Sequence, residues 1–159
     1  SANLARYDGI RYGARADTPD LMATYFKSRG QFLGAETQRR IMVGTYTLSS
    51  GYYEAYYAQA QKMRALIKQN FINAFENVDV IMAPVSPDVA FKLGEKTEDP
   101  LKMYAADIFT VPANLAGVCG LAINCGKING LPVGLQILGS WFGESLLFKA
   151  GEFYEAGNR

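Results

Sequence analysis

Two apolar runs flank an Asn-Gly pair in residues 121–138, LAINCGKINGLPVGLQIL. Asn129-Gly130 is the strongest short-range signal for a β-hairpin, because both residues tolerate the positive φ values of a tight turn. The runs on either side, residues 121–125 and 133–138, are therefore predicted to be strands that pair antiparallel.

A third strand is predicted in residues 78–83, where a β-branched and mostly apolar run ends at Pro84. Such a run suits a strand that is covered on both faces. Three strands with one antiparallel pair make a small sheet for a chain that is 49% hydrophobic. Either strands are missed by these patterns, or chain outside these residues completes the sheet.

Periodic apolar spacing predicts four helices. Thr18 is placed to cap the first helix, and Gly30 is expected to end it. The other three are predicted over about residues 35–43, 60–75 and 144–156.

Specific expectations attach to three features of these helices. Ser49-Ser50-Gly51 precedes the long third helix and is interpreted as its cap. Five tyrosines between residues 46 and 57 are interpreted as core packing. The last helix is expected to turn five side chains inward, those of Leu146, Leu147, Ala150, Phe153 and Tyr154.

The composition excludes several kinds of chemistry. The chain has 159 residues and no histidine, which excludes Ser-His-Asp and Cys-His devices and imidazole zinc sites. Its 16 Lys and Arg against 15 Asp and Glu leave a net charge of +1, so no whole-chain charge draws it to nucleic acid or to an anionic membrane. No run approaches the ~18 apolar residues of a membrane span, and the two cysteines match no redox or metal motif.

An arginine- and tyrosine-rich segment occupies residues 6–15, RYDGIRYGAR. Its interleaved basic and aromatic residues could form a small nucleic-acid patch. The near-neutral total charge favours the alternative interpretation, a solvated edge packed by its own tyrosines.

Two charged residues lie beside apolar runs. Arg40, which precedes the apolar residues 41–43, is either a snorkelling surface residue or a partly buried anchor for a carboxylate. Asp107 lies in the apolar stretch 103–109 and needs a partner, such as a helix N-terminus, a cation or a ligand ammonium. Together they supply the cation and the anion that an α-amino acid zwitterion requires, with structural ion pairing as the alternative for each.

Four segments carry a resemblance to a known family. Residues 39–53 (RRIMVGTYTLSSGYY) and 99–107 (DPLKMYAAD) resemble the glutaminase subunits of glutamyl-tRNA(Gln) amidotransferases. Residues 112–117 (PANLAG) and 130–139 (GLPVGLQILG) resemble the wider amidase signature family to which those subunits belong. The resemblance covers nearly the whole chain but only the C-terminal portion of the family's proteins.

The resemblance implies a fold and a reaction. The fold is the C-terminal part of an α/β/α sandwich with a mixed sheet, so that residues 1–159 form one incomplete α/β domain, mainly helical in 1–77 and α/β in 78–159. The parent hydrolyses glutamine and belongs to a heterotrimer with subunits B and C. The B subunit receives the ammonia, uses ATP and Mg²⁺ to amidate Glu-tRNA(Gln) and binds most of the tRNA, while the C subunit links the other two. The complex is cytoplasmic and of bacterial type.

The resemblance also assigns site residues. By position in the family motifs, Arg40 grips the glutamine α-carboxylate and Asp107 pairs with its α-ammonium. The family's serine nucleophile, its second serine and its lysine lie in a Gly/Ser-rich signature that this chain lacks. No catalytic, cofactor-binding or metal-binding residue is therefore predicted here, and the isolated chain is expected to be inactive.

The chain departs from the family pattern at two strand positions. Cys119 stands where proline is usual, and Asn124 lies in a predicted buried strand, where its amide would need a partner.

Two alternatives to this function stay open: a portion of another amidase-signature amidohydrolase, and a non-catalytic binding or assembly module. Missing partner strands would expose sheet edges and apolar surface, so self-association of the chain is expected.

Overall fold

The computed structural model describes residues 3–8, 11–95 and 99–157. The chain divides into two compact units, residues 1–61 and 62–159, and each is described by itself. The assignment of residues 1–159 to a single domain stays a prediction.

The first unit is helical. After a 3₁₀ turn at Leu4–Tyr7 it contains α1 (Leu21–Phe32), α2 (Ala35–Leu48) and a π-helical turn at Tyr53–Ala58, which runs directly into α3 (Gln59–Phe75). The boundary between the two units falls in the first turn of α3. All the helices predicted in this part of the chain are present.

Helix α1 begins and ends differently from the prediction. Asp20 is its N-cap, since the carboxylate accepts a hydrogen bond from the Ala23 amide at 2.7 Å. Thr18, the predicted cap, instead donates its hydroxyl to the Asp20 carbonyl. Gly30 does not end the helix, which continues to Phe32, because a glycine in helical conformation lowers helix stability by only about 1 kcal/mol.

Helix α2 is longer than predicted, and Ser49 closes it. The Ser49 hydroxyl donates to the Tyr46 carbonyl at 2.7 Å, and its backbone N–H donates to the same oxygen. The interpretation of Ser49-Ser50-Gly51 as the cap of the long helix α3 was wrong, because Ser49 satisfies the Tyr46 carbonyl at the end of α2 and no side chain caps the helical turn that leads into α3.

The second unit is built on a three-stranded sheet. Strands β1 (Val80–Pro84), β2 (Cys119–Ile128) and β3 (Leu131–Gly139) lie in the order β1-β3-β2, and both pairs are antiparallel. Helices α4 (Pro100–Ala105), α5 (Val111–Ala116) and α6 (Glu144–Gly157) complete the unit. The mixed helix and strand class was predicted correctly, whereas the two six-residue helices were missed.

The turn between β2 and β3 has the predicted chemistry. Asn129 and Gly130 have φ values of 51° and 80°, as a two-residue hairpin turn requires. A bulge near Cys125 shifts the register between Asn124 and Gly126, and there the Asn124 side chain accepts the Gly126 amide at 2.9 Å. Asn124 is exposed rather than buried, so its departure from the family pattern disturbs no packing.

Helix α6 packs against the sheet along a narrow line. Leu147, 2% exposed, contacts the backbone at Gly139, and Gly151 lies against the side chain of Leu121. Leu146 and Phe153 were expected to face inward but are 41% and 83% exposed. Fewer apolar side chains of this helix are buried than its apolar pattern predicts, because the sheet beneath it has three strands in the described part of the chain.

Strand β1 is not covered on both faces as predicted. Met82 at its centre is 51% exposed, and β1 forms one edge of the sheet. The buried apolar core of the described residues is correspondingly small; it consists of Ala113, Ala116, Ile137, Leu138 and Leu147. None of the helices above combines the length and the hydropathy that a membrane span needs.

Candidate functional site

Arg40 lies on the exposed face of α2 and pairs with the Glu36 carboxylate. Its Nε donates to Glu36 Oε1 at 3.0 Å, and its side chain is 59% exposed. The side chain thus lies at the surface of this structure, and its role as an anchor for a carboxylate stays a prediction. The i,i+4 ion pair holds the guanidinium group over its own helix, and more than half of the side chain is exposed.

The Glu36 carboxylate pairs with two arginines, Arg40 and Arg39, and this role was not predicted from the sequence. Its second oxygen accepts a hydrogen bond from Arg39 Nη1 at 2.8 Å. The signal was available, because carboxylate and guanidinium groups three and four residues apart meet on a helix surface. Glu36 is therefore a candidate positioning residue for Arg40.

Asp107 lies in the turn between α4 and α5, with its backbone engaged and its side chain exposed. Its carbonyl accepts the amides of Thr110 and Val111 at 3.1 and 3.0 Å, which starts α5. The carboxylate forms no ion pair with a described residue. The apolar stretch around Asp107 does not bury it, so the carboxylate needs no partner within the protein, and its pairing with a ligand ammonium stays a prediction. An exposed carboxylate suits an incoming ammonium group.

Two cavities of the second unit adjoin the Asp107 turn. Ala106, on one side of Asp107, lines a cavity of about 440 Å³ between the chain after β1 and the β2–β3 hairpin. Thr110, on the other side, lines a smaller cavity of about 250 Å³ over the sheet, together with Asn114 and Gln136. Small-molecule sites have volumes of roughly 300–1,000 Å³; the cavity of about 440 Å³ lies within this range, and the cavity of about 250 Å³ lies below it.

Gln136 fixes the position of the Asp107 turn relative to the sheet. It is 6% exposed, and its Nε2 donates to the carbonyls of Pro84, at 3.0 Å, and Phe109, at 2.9 Å. One amide thus joins the end of β1 and the turn after Asp107 to β3. The sequence signal for this role is a polar residue inside an apolar strand, since a buried amide must find partners.

Five tyrosines form an exposed cluster at the end of α2 and in the following π-helical turn. The rings of Tyr46 and Tyr52 lie 4.3 Å apart, and those of Tyr53 and Tyr57 lie 5.0 Å apart. The five rings, including that of Tyr56, are 37–52% exposed, so their interpretation as core packing was wrong. The hydrogen bond with Tyr52 is the main cause that raises the pKa of Tyr46 above its ordinary value, followed by desolvation and the neighbouring Tyr56.

The two predicted substrate-binding residues belong to different units. Arg40 lies in the first and Asp107 in the second, and their pairing with one substrate stays a prediction. Among the described residues, no group of three or more His, Cys, Asp or Glu side chains is arranged to hold a metal ion.

Comparison with known proteins gives consistent matches. Residues 1–148 match the family described as Amidase. The A subunit of glutamyl-tRNA(Gln) amidotransferase from Persephonella marina is 58% identical over 96% of this chain, which covers 32% of that relative. The corresponding protein of Geobacillus stearothermophilus, of the same name, is 56% identical over 98% of this chain, which again covers 32% of the relative. The chain therefore spans about a third of the length of the curated relatives it matches.

Solved structures show the same similarity. The crystal structure of the A subunit of glutamyl-tRNA(Gln) amidotransferase from Thermotoga maritima shares 39% identity, with a TM-score of 0.57 over 89% of this chain and 30% of that chain. A crystal structure described as an amidase has a TM-score of 0.67 at 24% identity, over 84% of this chain and 31% of that chain, and shows similarity of fold alone.

Proposed function

This chain belongs to the Amidase family, and we propose that it supplies the substrate-positioning part of a glutaminase subunit in a tRNA-dependent amidotransferase. One observation carries the proposal: relatives named as the A subunit of glutamyl-tRNA(Gln) amidotransferase are 55–58% identical over nearly the whole chain. The activity is that of a larger protein, since this chain covers about a third of such a relative.

In the proposed reaction glutamine and water give glutamate and ammonia, and this chain's residues hold the substrate. Arg40 offers a guanidinium fork for the α-carboxylate, and Asp107 offers a carboxylate for the α-ammonium. Holding both ends of the zwitterion aligns the side-chain amide with a nucleophile, which lowers the entropy cost of the reaction. Both side chains are exposed rather than buried in the protein interior, which supports this role.

The nucleophile in this proposal lies outside the 159 residues. The family's serine pair and lysine have no counterpart in this sequence, which also lacks histidine. The isolated chain is therefore expected to release no ammonia from glutamine. Detectable ammonia release by the purified chain, above a glutamine-only blank, would contradict this assignment.

The complete enzyme would be a heterotrimer with two further subunits, B and C. The B subunit would receive the ammonia and use ATP and Mg²⁺ to convert Glu-tRNA(Gln) to Gln-tRNA(Gln), and the C subunit would link the other two. We assign ATP and Mg²⁺ to the B subunit because the resemblance to the glutaminase subunits of such amidotransferases implies it. A role in translation implies a cytoplasmic location for this complex.

The decisive experiment replaces Arg40 in a full-length glutaminase subunit that carries this segment. Arg40→Lys keeps the charge but removes the bidentate fork, so kcat/KM for glutamine should fall by about ten- to a hundredfold, equivalent to 1.5–3 kcal/mol of hydrogen bonding to a charged group. Arg39→Lys is the matched control, because Arg39 occupies the same helix and pairs with the same Glu36. The kcat/KM of Arg39→Lys should stay within about twofold of the wild-type value, because surface substitutions usually have effects of this small size.

The other outcomes separate the alternatives. An unchanged kcat/KM in Arg40→Lys would favour an amidohydrolase whose substrate has no α-carboxylate. Calorimetric titration of this chain with the C subunit, and separately with glutamine, tests the third alternative. Tight binding of the C subunit without any contribution of Arg40 or Asp107 to glutamine hydrolysis would favour an assembly module.

A further inference from the structure

Three arginines from separate positions of the first unit line one cavity. The cavity has a volume of about 570 Å³ and is lined by Arg6, Asp8, Arg11, Tyr12, Tyr25 and Arg29. We call these six residues the Arg-Tyr cluster. The 3₁₀ turn at Leu4–Tyr7 carries Arg6 and α1 carries Arg29, so the fold concentrates basic groups that the sequence spreads over 24 positions.

The charge of the cluster is positive although the whole chain is nearly neutral. Asp8 is 6% exposed, and Arg29 binds it through Nε at 3.1 Å and Nη2 at 2.8 Å. The two charges of this ion pair cancel, and the two hydrogen bonds hold the Arg29 side chain in place. Arg6 and Arg11 are exposed and form no ion pair with a described residue. Their two positive charges therefore dominate the cavity, in a chain whose total is +1.

Aromatic rings lie beside these guanidinium groups. The Arg11 guanidinium lies 5.5 Å from the centre of the Tyr12 ring, and Arg29 lies 4.9 Å from that of Tyr25. Tyr7 and Tyr12 face each other at 5.9 Å and are 60% and 50% exposed. Cation–π contacts hold the guanidinium groups in place, and the exposed rings are platforms on which a base can stack.

We propose that the Arg-Tyr cluster binds an RNA strand, with Arg6 and Arg11 on its phosphates and Tyr12 against a base. Guanidinium groups suit phosphate oxygens, and aromatic stacking beside a basic cavity is typical of single-strand binding. The choice of RNA among polyanions rests on the proposed function, in which the complex acts on an aminoacyl-tRNA. The sequence favoured a solvated edge here on the basis of total charge, which does not report the local charge that folding creates.

The test measures binding of a fluorescently labelled uridine oligonucleotide to the full 159-residue chain by anisotropy over a series of salt concentrations. Arg6→Ala and Arg11→Ala should each weaken binding and each reduce the slope of log K against log salt by about 0.7, the value for one phosphate contact on a single strand. Tyr12→Leu should weaken binding at every salt concentration without changing the slope, since stacking releases no counterion.

Arg15→Ala is the matched control, because Arg15 is exposed on the same segment but lies outside the cavity. It removes the same charge and should leave the affinity and the slope unchanged. Arg6→Lys keeps the charge and should keep the slope. Far-ultraviolet circular dichroism of each variant checks that the helices persist.

Three results would overturn the proposal: no binding of the oligonucleotide at low salt, an equal loss in Arg15→Ala, or binding of ATP without binding of the oligonucleotide. The first or third would exclude an RNA site, and the second would show diffuse attraction. The measurement uses neither glutamine nor partner subunits. Failure of this proposal therefore leaves the glutaminase assignment untouched, whereas failure of the glutaminase assignment would remove the reason for choosing RNA but would not change the measured binding of the oligonucleotide.

Discussion

At the scale of single residues, Gln136 is the side chain on which the geometry of the second unit depends most. Its two hydrogen bonds end on backbone carbonyls of β1 and of the turn after Asp107. Pro84 is the last residue of β1 that pairs with β3, whereas Phe109 lies in a turn that β-pairing does not place. The residue is therefore expected to matter for stability and for the position of Asp107.

Replacing Gln136 with leucine keeps the size of the side chain and removes both donors. We expect the free energy of unfolding to fall by about 1–3 kcal/mol, because two partly buried carbonyls lose their partners. Urea denaturation followed by circular dichroism measures the change. Gln69→Leu is the control, since the Gln69 side chain is exposed and donates to Asn73 on the same helix, and its effect should stay within about 0.5 kcal/mol. Equal effects of the two substitutions would show that Gln136 is not a structural tie.

Single residues also show what the sequence could reveal. Asn129-Gly130 was predicted correctly, because the positive φ of a tight turn is a local requirement that few residues meet. The exposure of Asp107 was not predicted, because apolar neighbours in sequence bury a carboxylate only when other elements cover them. Burial depends on contacts between distant segments, which a single sequence does not display.

At the scale of elements, two glycines within helices have opposite surroundings. Gly30 in α1 has open space where a Cβ would lie. At Gly151 in α6 a Cβ would lie 2.6 Å from Leu121 Cδ2. Gly30 is thus a weak point of its helix, whereas Gly151 permits the close approach of α6 to the sheet.

Alanine at these two positions should change stability in opposite directions. Gly30→Ala should raise the free energy of unfolding by about 0.5–1 kcal/mol through helix propensity alone. Gly151→Ala has the same propensity gain, but overpacking costs about 1–3 kcal/mol, so a net loss of roughly 1 kcal/mol is expected. Denaturant midpoints of the two variants measure both effects. Equal stabilisation by both would mean that Leu121 moves aside without cost and that the contact does not set the helix position.

The elements differed in how readily the sequence revealed them. Helix α3 was predicted because its apolar spacing repeats over several turns. The β2–β3 hairpin was predicted because apolar runs stand on both sides of the Asn-Gly pair. Helices α4 and α5 were missed because six residues complete fewer than two turns, which is too short for a periodic pattern. Their starts depend instead on a capping aspartate, Asp99, and on prolines near the N-terminus of each helix.

At the scale of the whole molecule, the apolar surface is large for the core beneath it. Five apolar side chains are buried among the described residues, whereas 34 large ones are exposed. The sequence contained a sign of this imbalance, since three predicted strands were too few for its apolar content. The similarity of the chain to about a third of longer relatives gives the physical reason. The sequence could not show which faces lack cover, because that depends on how the elements pack.

Exposed apolar side chains should drive association of the chain with itself. Phe142 and Phe153 are 95% and 83% exposed in the second unit, and Phe26 is 73% exposed in the first. Burial of such surface gains about 25 cal/mol for each Å², so the weight-average mass from sedimentation equilibrium should rise with concentration above 17.4 kDa. Phe153→Ser should lower this association, whereas Lys149→Ser, on an exposed position of the same helix, should not. A concentration-independent mass of 17.4 kDa would contradict the prediction, because these faces would then be stable in water without cover.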